Sequence, residues 1–225
     1  MKLVIGLGNP ERRYFDTRHN VGFAVIEKLA ARLGISRGKS RFKGEFYEAF
    51  VDGAAIGLLC PLTYMNLSGQ AVKPAVDFFR IPLDQILVVC DDLNLDLGRI
   101  RIRARGSAGG QKGIENIIQL LGSDEFPRLR IGIGKPPSHM DARDFVLSKF
   151  SKTEASEISI ALERACDAIL CWLSQGIVSA MNRFNSVEAE KNTKKQDDNQ
   201  KSKRLDCRDG PQGSDIDAKP SIDEV

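Results

Sequence analysis

KLVIGLGNPERRYFDTRHNVG, residues 2–22, decides how the rest of the chain is read. Leu3, Val4, Ile5 and Leu7 make a short apolar run that stops at Gly8-Asn9-Pro10, the pattern of a buried strand ending in a turn. A polar loop follows. Val21, Val25, Ile26, Leu29, Ala30 and Leu33 then recur at helical spacing up to Gly34, which predicts a helix with a glycine stop. The loop between strand and helix carries Asn9, His19 and Asn20. His19 is one of only 2 histidines in the chain, so few side chains compete with it as a proton acceptor at neutral pH.

Outward from this unit, the chain alternates strand and helix patterns. A basic stretch from Arg37 to Lys43 reads as a loop. Glu45–Val51 and Ala54–Cys60 flank Asp52-Gly53, a strong two-residue hairpin signal. Pro61 to Asn66 is read as a loop entering a helix capped near Ser68, with Pro74 expected to kink that helix or restart it. Ile86–Val89 is a second apolar strand, ending at Cys90-Asp91-Asp92. Arg99 to Arg105 alternates strictly, with the arginines on one face. Gly106 to Gly110 forms a loop opening a helix through Ile114, Ile117, Ile118 and Leu121. Arg128–Gly134 alternates again, and helices are expected around Glu154–Leu173 and near Val178–Phe184. The expected fold is a single α/β domain over residues 1–186, a mixed twisted sheet with helices on both faces. From about Val187 to residue 225, Asn, Gln, Asp, Lys and Ser dominate and nearly half the residues are charged. That tail is expected to be disordered, because it lacks the apolar area that would offset its ordering entropy.

The 225 residues suffice for a core that needs neither disulfide nor metal. A net charge of +3 is compatible with a nucleic-acid partner without requiring one. The 5 cysteines have no CxxC spacing and are odd in number, which argues for free thiols in a reducing compartment. No apolar run approaches the ~20 residues of a membrane span, and the N-terminus lacks a signal-peptide pattern. The expected location is the cytoplasm.

Ligands of open α/β sheets sit beyond the carboxyl ends of the strands. Asn9 and Asp91 follow two of those strands, Asn66 ends the loop after the hairpin, and Gln111 and Lys112 open the helix after the glycine loop, so these groups are expected to converge. A neutral His19 at the start of its helix suits a general base, and Asp91 could hold its second ring N–H. No serine or cysteine elbow is evident, so water is the expected nucleophile. Asn9 and Asn66 offer uncharged donors and acceptors for a substrate carbonyl. Each also has an ordinary structural reading, asparagine as a turn residue and Asp91 as a cap. Arg99, Arg101, Arg103 and Arg105, with Arg128 and Arg130, either clamp phosphates or form a solvated strand face. Two patterns are rejected. Gly6-x-Gly8 lacks the third glycine of a dinucleotide fingerprint, and Asp92-x-Asn94-x-Asp96 has its glycine one place late and Arg103 where a calcium loop needs Glu.

GLGNPERRYFDTRHNVGF, PLTYMNLSGQAV, DDLNLDLGRIRIR, GSAGGQKGIENII and FPRLRIGIGKP, in this order and spacing, closely resemble bacterial peptidyl-tRNA hydrolases over roughly Met1–Ser186. The resemblance implies a three-layer α/β/α fold and a cytoplasmic monomer without metal or organic cofactor. It would cleave the ester between a peptide and the 3′-terminal ribose of tRNA. It further implies His19 as the catalytic base and Asp91 as the carboxylate that orients it. Asn9 and Asn66 would hold the peptide and the scissile carbonyl, and Tyr14, Tyr64 and Met65 would line the cleft. Arg103 and Arg130 would meet the 5′-phosphate of the tRNA acceptor arm. Where the family commonly has His-Asn, this chain has Gln111-Lys112, so Lys112 meets either substrate or a phosphate. Glu11 replaces a usual glycine. A non-catalytic RNA-binding protein on the same scaffold is the alternative reading.

Overall fold

The first strand, β1 (Lys2–Gly6), lies inside the sheet, flanked in parallel by β4 (Ala54–Pro61) and β5 (Ile86–Asp92). The computed structural model describes residues 1–186; the expected disordered tail lies outside them. With β2 (Lys39–Arg41), β3 (Gly44–Val51), β6 (Ile100–Arg103) and β7 (Arg128–Gly132), the strands of the described residues run in the order β2-β3-β4-β1-β5-β7-β6. β5 and β7 are parallel, while β2/β3, β3/β4 and β6/β7 are antiparallel.

The apolar runs of β1 and β5 are continuous because both of their faces are covered. Leu3, Ile5, Val88 and Cys90 pack on one side with α2 (Gly69–Phe79) and α3 (Lys112–Leu121). Val4, Leu87 and Val89 pack on the other with α1 (Val21–Arg32) and α5 (Lys152–Phe184). The result is the expected three-layer arrangement. The hairpin turns at Asp52 and Gly53, with φ 50° and 78°, the mirror-image turn whose twist matches the flanking strands.

α1 presses unusually close to the strand ends. A Cβ on Gly22 would stand 2.4 Å from the Leu7 nitrogen and 2.6 Å from the Val89 carbonyl oxygen, so only glycine fits. The short 3-10 turn Arg18–Asn20 is thereby brought against β5. Arg18 fastens that turn from below. Its side chain is buried between the rings of Phe145 and Phe150, 4.3 and 4.6 Å away. It donates to the Ile133 carbonyl at 3.0 Å and to Glu154 Oε2 at 2.8 Å. Glu154 completes a capping box with Ser151 at the start of α5, so the helix end and the histidine turn share one anchor.

Four expectations are corrected. The basic loop contains the edge strand β2. α2 continues through Pro74, which is exposed; its neighbours Val72, Ala75 and Val76 are buried, and that burial offsets the missing N–H bond. Ser68 does not cap α2, because its hydroxyl donates to the Met65 carbonyl. Arg128 is not on a solvated face: β7 lies between β5 and β6, and its guanidinium is buried, donating to the carbonyls of Ser107, Asp124 and Phe126 at 2.9–3.1 Å and to that of Gly106. The two closing helices are present as expected: α5 is broken between them at Gly176, with φ 83°.

Candidate active site

The carboxyl ends of β1, β4 and β5 point the same way, because those strands are parallel, and the loops that leave them carry the chemistry. His19, in the 3-10 turn ahead of α1, places Nδ1 2.8 Å from Oδ2 of Asp91 near the end of β5. A carboxylate accepts and does not donate. The Nδ1 atom therefore carries the ring proton, and Nε2 is left as the free lone pair. Asp91 is 5% exposed, and the His19 side chain is 14% exposed.

The other oxygen of Asp91, Oδ1, lies 3.2 Å from Nε2 of Gln111, and the same Nε2 lies 3.1 Å from the Met65 sulfur. The Met65 backbone N–H donates to Asn9 Oδ1 at 2.9 Å. Asn9 N–H donates to Asn20 Oδ1, and Asn20 Nδ2 donates back to the Asn9 carbonyl, at 2.9 and 3.0 Å. Since Asn20 follows His19 in the chain, these bonds close a circuit through all three strand-end loops. Nearly every polar atom in it is satisfied, so the circuit holds its shape in a poorly solvated place.

A cavity of about 480 Å3 opens over this circuit. His19, Asp91, Gln111, Lys112, Arg130 and Arg143 line it. A second cavity, of about 450 Å3, lies between Phe15, Phe23, Phe150 and Leu162 and contains neither His19 nor Asp91. Arg130 donates to Asp92 Oδ2 at 3.0 Å and to the carbonyls of Ser107 and Ala108, also at 3.0 Å. With Arg128 it ties the Gly106–Gly110 loop to β7. Asp92, the first residue of the rejected calcium pattern, is taken up by Arg130 and by the Asn94 N–H. Among the described residues no group of three or more His, Cys, Asp or Glu could hold a metal ion.

His19, Asp91, Asn9, Met65 and Gln111 thus meet as one unit. Lys112 lies on the cavity wall, exposed and paired with Glu115 at 2.8 Å. Asn66 is exposed in the 3-10 turn Met65–Leu67, one residue from the Asn9 contact, but does not line the cavity. Met65 is 4% exposed and joins the circuit through Asn9 and Gln111 without lining the cavity. Tyr64 is surface-exposed with its hydroxyl on Glu11, and Tyr14 lies under the Arg13 guanidinium, 4.7 Å from it. Arg103 projects from β6, exposed and without a hydrogen-bond or ion-pair partner among the described residues. Sequence reasoning assigned no task to Arg18 or Asn20, and it expected Gln111 among the converging groups without giving it a role. Asn20 precedes a helix, a position where asparagine is common and usually a cap, so pattern alone could not separate the two uses.

The family described as peptidyl-tRNA hydrolase matches residues 3–195. The peptidyl-tRNA hydrolase of Rhodopirellula baltica is 50% identical over 187 residues, covering 83% of this chain and 98% of that protein. That of Bacillus cereus strain Q1 is 45% identical over 186 residues, covering 83% and 100%. The crystal structure of peptidyl-tRNA hydrolase from Acinetobacter baumannii superposes with a TM-score of 0.78 at 36% identity, covering 83% of this chain and 95% of that one.

Proposed function

The chain belongs to the peptidyl-tRNA hydrolase family, and from that premise we propose how its own residues carry the reaction. The enzyme hydrolyses the ester between a peptide and the 3′-terminal ribose of tRNA, releasing both and recycling tRNA lost from abortive translation. Nε2 of His19 takes a proton from water as the oxygen attacks the ester carbonyl. Asp91 keeps the proton on Nδ1 and steadies the imidazolium as it forms. The tetrahedral oxyanion is met by the amide Nδ2 of Asn9, while Asn66, one residue beyond the Asn9 contact and outside the cavity lining, holds the peptide. When it collapses, the carbonyl–ribose bond breaks and the imidazolium returns its proton to the departing ribose oxygen. Because Asn9 Oδ1 is occupied by the Met65 N–H, Asn9 contributes its donor end.

The peptide follows the cleft edged by Tyr14, Tyr64 and Met65, and Lys112 at the wall meets substrate or a tRNA phosphate. Arg103, exposed and unpaired among the described residues, supplies the primary contact to the 5′-phosphate of the acceptor arm. Arg130, fixed by Asp92 and the loop carbonyls, adds a stationary positive field. We read the protein as a monomer acting in the cytoplasm, where ribosomes release its substrate. In keeping with that, no helix of the described residues is long and apolar enough to cross a membrane.

The observation that carries this reading is the 2.8 Å contact between His19 Nδ1 and Asp91 Oδ2, at a cavity mouth with Nε2 free. The test is release of the blocked amino acid from N-blocked aminoacyl-tRNA. His19→Ala is expected to lose ~10²–10⁴-fold in kcat. Near-wild-type turnover in that variant would falsify the assignment.

A further inference from the structure

Gln111 is buried at the start of α3, and both ends of its amide are engaged. Its Oε1 accepts the Ile114 N–H at 2.8 Å. A backbone N–H can only donate, so this bond identifies the oxygen end of the amide. The end that meets Asp91 Oδ1 at 3.2 Å is therefore N–H. Asp91 thus has one oxygen on Gln111 and the other on His19.

We propose that Gln111 is a positioning residue for ester hydrolysis: it clamps Oδ1 of Asp91 so that Oδ2 faces His19 Nδ1, and it does so without titrating. The proposal rests on His19 and Asp91 being the base and its orienter.

A carboxylate turns easily about its terminal torsion, where the preference is broad and two-fold. A donor on one oxygen removes that freedom. It also favours the charged carboxylate and draws electron density from it. Without the clamp, Oδ1 would be buried and unpaired, and Asp91 would pull harder on the imidazole proton. The imidazole would then stay protonated, and inactive as a base, to higher pH.

The other charged groups around the pair are already engaged or stand at the cavity wall. Asp92 beside it on β5 is paired with Arg130 of β7, Arg18 below the histidine turn with Glu154 of α5, and Lys112 on α3 with Glu115. Arg143 reaches the cavity wall from α4 (Ala142–Val146). The uncharged amide of Gln111 steers Asp91 without adding another ionisation to this set.

Two variants of the full chain separate clamping from helix capping. Gln111→Ser retains a good cap but is too short to reach Asp91. Gln111→Met keeps the volume and loses both contacts. With N-blocked aminoacyl-tRNA as substrate, kcat is expected to fall about tenfold in Gln111→Met and to a lesser degree in Gln111→Ser, where water can enter. KM should stay within about twofold, and the acid limb of the kcat profile should move to higher pH. Melting temperature should fall chiefly in Gln111→Met. If both variants keep wild-type kcat and an unmoved acid limb, Gln111 is a cap and nothing more. A rise in KM alone overturns the proposal too, since it makes Gln111 a substrate contact. Should Gln111→Met fail to fold, Gln111→Ser decides by the same kcat and acid-limb criteria. His19→Ala is measured alongside; if it retains turnover, the base itself is misassigned, which separates that failure from a failure of the clamp.

Discussion

Replacing Glu154 by Gln removes one charge about as far from the chemistry as a contact can be while still touching the histidine turn. The Arg18 guanidinium, followed by bonds from Ser151, holds the Glu154 carboxyl down at about 2 against an ordinary value of 4.5, partly opposed by burial. At full weight that difference is worth about 3 kcal/mol. The side chain is 26% exposed, so solvent screening trims the expectation to about 2 kcal/mol. Gln retains an oxygen for the capping-box bond to Ser151, so the variant removes the charge and one acceptor of the Arg18 pair while keeping the cap. At pH 7, Glu154→Gln should therefore lower the urea-unfolding free energy by about 2 kcal/mol and the melting temperature by about 4–8 °C. Because the folded-state value is depressed, the stabilisation is present above the unfolded value of 4.5 and is lost as pH falls toward 2. At pH 3 the gap between wild type and variant should have shrunk to about half. His19 directly follows Arg18, so kcat should fall while KM holds. A destabilisation that persists undiminished at pH 3 would refute the electrostatic account of this anchor.

Gly22→Ala drives a methyl group into the Leu7 and Val89 backbone and should cost at least about 1–3 kcal/mol in chemical denaturation, with a loss of activity that exceeds the loss of folded protein. Arg103→Ala should raise KM for peptidyl-tRNA and reduce the slope of log affinity against log salt by about one. Arg128→Met should instead lower the melting temperature and leave that salt slope unchanged, because Arg128 is buried on loop carbonyls. A reduced salt slope in Arg128→Met would overturn the structural reading of that residue.

What the order of residues determined by itself was local and periodic. The uninterrupted apolar run at Leu3–Leu7, the Asp52-Gly53 hairpin and the helical spacing from Val21 to Gly34 each follow from neighbours in the chain, and each appears where expected. His19 stood out because so few side chains titrate near neutrality, and five ordered motifs pointed to the family. Tertiary structure decided the rest, because the deciding contacts are long-range. Arg128 and Arg103 belong to the same kind of alternating pattern, yet β7 is an interior strand and β6 an edge, so one guanidinium is buried on carbonyls and the other faces solvent. Pro74 stayed inside its helix because the opposite face, carrying Val72, Ala75 and Val76, is packed against the sheet. The tasks of Arg18, Asn20 and Gln111 arise from bonds to Glu154, Asn9 and Asp91, many residues away. A hydrogen bond across such separations depends on how strands order themselves in a sheet, and no local pattern in the chain encodes that.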